Sequence, residues 1–99
     1  MIRHIFIGTF KEGISDNVKQ KQVADMKAMK DNIPRISALE VGISKGWAGV
    51  ENTIMMTVDF ELKDDFDIYM QHPYHTDYIN QTGFDYFDRS TFVFGQFEI

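Results

Sequence analysis

The stretch from Ile2 to Phe10 restricts the possible folds more than any other part of the chain, because it is apolar on both of its faces. It is rich in β-branched and aromatic residues and reads as a strand. Alternation puts Ile2, His4, Phe6, Gly8 and Phe10 on one side and Arg3, Ile5, Ile7 and Thr9 on the other. A strand of this kind has to be covered twice. With 99 residues the chain is expected to form one domain, spanning 1–99.

The remaining pattern supplies one of the two covers. Ser15 is a candidate N-cap with Asp16 in the first turn. Val18, Gln22, Met26, Met29 and Ile33 then recur at three- and four-residue spacing, which predicts an amphipathic helix over about 16–30, closed by Pro34. Strands are predicted over 36–44, with Leu39, Val41 and Ile43 on one face, and over 53–61, with Ile54, Met56, Val58 and Phe60 on one face. Between them lies the loop Lys45-Gly46-Trp47-Ala48-Gly49. Asp64 is read as the cap of a second helix carrying Phe66, Tyr69 and Met70 into Pro73. A short helical piece from Tyr74 to about Asn80 should end at Thr82-Gly83, and a last strand occupies 90–99. The order β-α-β-β-α-β is the α+β, ferredoxin-like arrangement, a four-stranded antiparallel sheet with helices on one face. Its other face is also apolar, and nothing remains in the chain to cover it. A second copy packed sheet against sheet would do so, giving a homodimer. Nine Phe, four Tyr and one Trp in so short a chain point the same way.

Several function classes are disfavoured by composition. The net charge of −5 comes without a basic stripe, which argues against nucleic acid as a partner. No apolar run approaches the roughly 20 residues of a membrane span. The first residues lack the pattern of a secretory signal, and cysteine is absent, so a cytoplasmic location and no disulfide or thiolate chemistry are expected.

Chemistry, if present, belongs to the segment Ile68-Tyr69-Met70-Gln71-His72-Pro73-Tyr74-His75. Histidine moves protons near neutral pH, and a proline between two histidines sets their directions. His75 is the candidate general base, abstracting a proton α to a carbonyl, and Tyr69 the candidate donor to the enolate oxygen. A plainer role is open to both: satisfying backbone groups at the helix break. His72, preceding Pro73, is expected to cap the turn. His4 either faces a pocket or is a satisfied core histidine. Phe6, Met26, Met29 and Met56 are core residues that would also suit the wall of a pocket for a flat apolar ligand. Gly46 and Gly49 beside Trp47 would allow a lid, though a plain turn explains them as well. Three histidines could in principle bind metal, but Pro73 disturbs the spacing, so neither metal nor cofactor is expected.

Taken in order, Ile2-Arg3-His4-Ile5, Lys11-Glu12-Gly13, Asn32-Ile33-Pro34, Leu39-Glu40-Val41-Gly42 and the H-P-x-H of residues 72–75 resemble the stress-responsive A/B barrel domain (Dabb) family, over nearly the whole chain. The resemblance implies a dimeric α+β barrel. Some relatives are polyketide cyclases that close rings by aldol chemistry without a cofactor, and others are stress-associated oligomers. By that resemblance His75 and Tyr69 would be the acid–base pair and His4 a pocket residue. Ile54 and Met26 stand where cyclases carry a further His and Tyr, and would contribute apolar contacts instead. The expectation is therefore a homodimer with a pocket formed by His75, Tyr69, His4, Phe6, Met26, Met29, Trp47, Ile54 and Met56. It would act as a cofactor-independent cyclase, lyase or isomerase on an aromatic or apolar carbonyl compound. The alternative is a non-catalytic, ligand-binding or assembling protein.

Overall fold

The computed structural model describes residues 1–99, the side chain of Thr82 excepted. Four strands, β1 (Ile2–Phe10), β2 (Ala38–Ile43), β3 (Thr53–Phe60) and β4 (Phe87–Glu98), form one sheet of order β2-β3-β1-β4. Every neighbouring pair is antiparallel. This is the ferredoxin-like topology expected from the element order.

The alternation of β1 settles the two faces. His4, Phe6, Gly8 and Phe10 are buried, while Arg3, Ile5, Ile7 and Thr9 are only half-buried. Cross-strand pairing carries the pattern outward: His4 lies beside Val58 and Gln96, and Phe6 beside Met56 and Phe94. Helix α1 (Asp16–Lys27) covers the buried face with Val23 and Met26, followed by the short helix α2 (Met29–Asn32). Ser15 caps α1 by accepting the Val18 N–H at 3.3 Å, as its position suggested. The helix does not run unbroken to Lys30, however; it is interrupted at Ala28, so that Met29 starts a new turn and is fully buried.

Helix α3 (Lys63–Gln71) begins after Leu62, which makes no side-chain cap bond. Asp64 therefore sits inside the first turn, where it favours the helix dipole, and is not the cap. Beyond Pro73 the chain makes a π-helical turn (Tyr74–Ile79), then helix α4 (Asn80–Gly83) and a 3-10 turn (Phe84–Tyr86). Thr82-Gly83 thus does not stop the helical path, which continues to the start of β4. That strand begins at Phe87, three residues before the expected Ser90, because Phe87 is buried and stacked on Phe10 with ring centroids 4.6 Å apart.

One irregularity shapes the sheet. Between the pairs Ile7–Val93 and Thr9–Asp88, β1 advances two residues and β4 five, a bulge in β4. Thr91 Oγ1 accepts the Thr9 N–H at 2.9 Å across it. The bulge lays Phe92 over Gly8, where an added Cβ would meet the Phe6 and Phe92 rings at 2.8 and 2.9 Å. Glycine is required here by close approach, not by its backbone freedom.

Candidate functional site

The end of α3 is built to present two histidines differently. His72 precedes Pro73 and is extended (φ −67°, ψ 134°), as such residues prefer. Its Nδ1 accepts the Tyr74 N–H at 3.1 Å, so this ring caps the turn. His75 lies within the π turn, and its Nδ1 faces the Met70 carbonyl at 3.5 Å, the long limit of a hydrogen bond. With Nδ1–H directed there, the basic lone pair is on Nε2. No hydrogen bond from Nε2 to the protein exists among the described residues, and no buried side-chain polar atom lacks a partner. Nε2 therefore opens on free space.

The ring also borders a cavity between the helices and the buried sheet face. Phe6, Met26, Met29 and Met56 line it, with Ile79, Phe84 and Phe94 closing the sides. Its polar lining comes from His4, Tyr69, His75 and Asn80. The centre of a water molecule is free to occupy about 20 Å³, room for about one water. A larger ligand would fit only on rearrangement of the three methionines, the apolar side chains most able to adapt.

Tyr69 is 1% exposed and its ring packs on His75, centroids 4.4 Å apart and planes inclined by 30°. The pair stands side by side on one wall and not across the cavity. The Tyr69 hydroxyl has no hydrogen-bond partner among the described residues, so by the same reasoning it reaches the cavity. Burial pushes its phenol well above the usual range, keeping it a neutral donor. Burial also lowers the His75 imidazole, with the Met70 carbonyl opposing, so the ring is a neutral base at neutral pH.

His4 is less available than its position suggested. Its Nδ1 is 3.0 Å from Gln96 Nε2, and Phe66, Tyr69 and Phe94 surround its ring. Burial, helped by repulsion from His75 and opposed by a bond to the Gly95 carbonyl, lowers it to about 4. It is a neutral, anchored wall residue.

Of the seven expected pocket residues besides His75 and Tyr69, five line the cavity and two do not. Phe6, Met26, Met29, Met56 and His4 do line the cavity. Ile54 does not: it is fully buried under the sheet face as core. Trp47 does not either. It is 89% exposed and borders a separate hollow with Gly42 and Met55, so its loop is no lid over the cavity. Ile79, Asn80, Phe84 and Phe94 were missed; the first two take their place from the π turn, Phe84 from the 3-10 turn after it and Phe94 from its pairing with Phe6. Among the described residues no three His, Cys, Asp or Glu side chains are grouped as metal ligands.

A neutral imidazole base and a neutral phenol donor in an apolar cavity are the parts needed to remove a proton next to a carbonyl. The profile of the stress responsive A/B barrel domain matches residues 2–93. The chain belongs to this family, Dabb. No curated protein matches it. Solved structures similar to this Dabb domain include a dimeric ferredoxin-like protein of unknown function from Thermobifida fusca, 19% identical, with a TM-score of 0.85 over 99% of this chain and 90% of that one. A hydroxynitrile lyase from Passiflora edulis is 19% identical, with a TM-score of 0.82 over 99% and 92% of the two chains. An antibiotic biosynthesis monooxygenase is 11% identical, with a TM-score of 0.79 over 100% and 98%. At these identities the likeness establishes the shared fold. No helix among the described residues is long and apolar enough to cross a membrane.

Proposed function

We propose that this Dabb domain is a cofactor-independent lyase, cyclase or isomerase acting on a carbonyl compound, and that it works as a homodimer. The observation that carries the catalytic reading is that His75 and Tyr69 both line one apolar cavity, while His75 Nε2 and the Tyr69 hydroxyl have no hydrogen-bond partner among the described residues. His75 Nε2 takes a proton from the carbon next to the carbonyl. The C–H electron pair becomes the new C=C bond as the carbonyl π pair moves onto oxygen, and the Tyr69 O–H donates a hydrogen bond to that oxygen. The enolate then takes a proton elsewhere, attacks a second carbonyl, or expels a leaving group; these are the isomerase, cyclase and lyase outcomes. A solved structure of the same fold is a hydroxynitrile lyase, which supports lyase chemistry on this fold without involving an enolate.

The test is exchange of α-protons for deuterium in a panel of ketones and aldehydes, followed by NMR in D₂O. His75→Ala should slow it at least about 100-fold, the low end for a positioned general base. Tyr69→Phe should slow it about 10-fold or more. Exchange at the wild-type rate in His75→Ala removes the catalytic reading.

One observation favours a second reading, a small-ligand-binding protein without catalysis. The packing of Tyr69 on His75 buries the phenol to 1% exposure, which suits a structural stack. Saturable binding without exchange would assign that role.

The dimer is supported by the uncovered sheet face and by similar structures described as dimeric, from Thermobifida fusca and Bacteroides fragilis. Val93, half exposed on that face at the centre of the edge strand β4, is the residue to test. Val93→Glu should halve the mass in light scattering at micromolar concentration, because a desolvated charge opposes sheet-on-sheet packing. A wild type that is already monomeric there contradicts the homodimer.

A further inference from the structure

We propose that Asn80 holds the carbonyl oxygen of the ligand beside His75, and that the ligand is an uncharged ketone or aldehyde. The inference rests on the pocket reading above and goes beyond it by naming a further contact and the chemical class of what binds.

In an α-helix each residue turns about 100°, so residues five apart point about 140° away from each other. His75 and Asn80 are five apart and yet both line the cavity. The π turn resolves the conflict: its closing bond runs from the Asn80 N–H to the His75 carbonyl and stacks the two residues on one face. An α-helical path over the same residues would carry Asn80 away from the cavity.

The Asn80 side chain makes no hydrogen bond to the protein among the described residues. Its NH₂ supplies two donors in a wall that is otherwise largely apolar. Tyr69 offers one donor and Asn80 a second, which matches the two lone pairs of a single carbonyl oxygen and strengthens as charge develops there. Among the described residues no Lys, Arg, Asp or Glu lines the cavity. A carboxylate or phosphate entering it would be desolvated without a counter-charge, in a chain of net charge −5. The site therefore selects neutral molecules.

Acetophenone, ethylbenzene and benzoate separate these elements, since they share a ring and differ in carbonyl and charge. Binding is measured by NMR titration of wild type, Asn80→Ala and Asn80→Leu, the latter keeping the volume of the side chain. Wild type should prefer acetophenone to ethylbenzene and reject benzoate, and acetophenone should move the Asn80 side-chain NH₂ signals. Both variants should weaken acetophenone about 3- to 10-fold, the range of one net hydrogen bond, and leave ethylbenzene unchanged. Variants that weaken both ligands equally, or neither, overturn the role of Asn80. So does a wild type with no preference for the ketone, and benzoate binding as tight as acetophenone overturns the neutral class. Deuterium exchange at the acetophenone methyl, run alongside, keeps the two readings apart. A carbonyl preference that needs Asn80 without exchange upholds this inference against catalysis, and exchange that needs His75 but ignores Asn80 does the reverse.

Discussion

The two faces of the sheet are made by the same strands, residue by alternate residue, and have opposite fates. On the helix side Ile54, Val58 and Phe60 are completely buried. On the other side Met55, Val93 and Phe97, of similar hydrophobicity, remain about half exposed. The polar residues divide in the same way. The helix face holds His4, neutral and anchored to Gln96, whereas the bare face holds an ion pair, Arg3 to Asp59. The contrast teaches that apolar alternation alone does not say which face a chain will cover by itself. What distinguishes the faces is the form in which each tolerates a polar group: uncharged under the helices, charged and paired where solvent still reaches.

The largest expected effect breaks the comparison at its apolar level. Phe60→Ala should cost about 3–5 kcal/mol in chemical denaturation, the usual price of emptying an aromatic core site. That cost should not vary with protein concentration. Phe97→Ala, the matching change on the bare face, should cost less than about 1 kcal/mol in dilute protein, and more as concentration rises if a second copy covers it. Equal costs for the two at every concentration would mean that the faces do not differ as described.

The second effect sharpens the polar contrast. His4 titrates at about 4 in the folded protein against an ordinary 6.5. Its folded value is depressed, so the unfolded chain binds the proton first as pH falls. Stability is full above about 6.5 and declines toward pH 4, by about 3 kcal/mol for a shift of this size. Urea denaturation from pH 7 to 4 should show the decline, and His4→Gln should flatten most of it, leaving a smaller slope from His75, which is lowered for the same reason.

How much of this was legible in the sequence depends on the range of the forces involved. The alternation of β1, the Ser15 cap and the burial of Gln22, Met26, Met29 and Ile33 are local and stood where the pattern placed them, although the helix carrying that stripe breaks at Ala28. His75 and Tyr69 were paired on the family resemblance alone, and their rings do lie 4.4 Å apart. Their stacking was not legible, since it depends on Phe60, Phe66 and His4 packed around Tyr69. The π turn was not legible either: a 3.6-residue period has no position for Asn80 beside His75. The bulge opposite Gly8 is a property of two strands distant in the chain. Trp47 was misplaced because glycines around an aromatic describe an exposed turn and a lid equally well.

The smallest effect belongs to the charged pair, and it asks whether the bare face is bare in solution. The Arg3 guanidinium gives the Asp59 carboxylate two hydrogen bonds, at 2.8 and 2.9 Å, and holds it below the usual carboxylate range. A depressed folded pKa stabilises above the ordinary value and is lost as pH falls through the folded one. Wild type should therefore lose stability below about pH 4 by an amount that Asp59→Asn does not share. Arg3 is partly exposed, so in a solvated pair the difference is small and about 1 M salt screens it away. Under a second copy the same pair loses its solvent, and the difference between wild type and Asp59→Asn should then persist in high salt and grow with protein concentration. A difference that salt abolishes at every concentration would place Arg3 and Asp59 outside the covered area and confine the contact to the strand centres around Ile5, Ile7 and Val93.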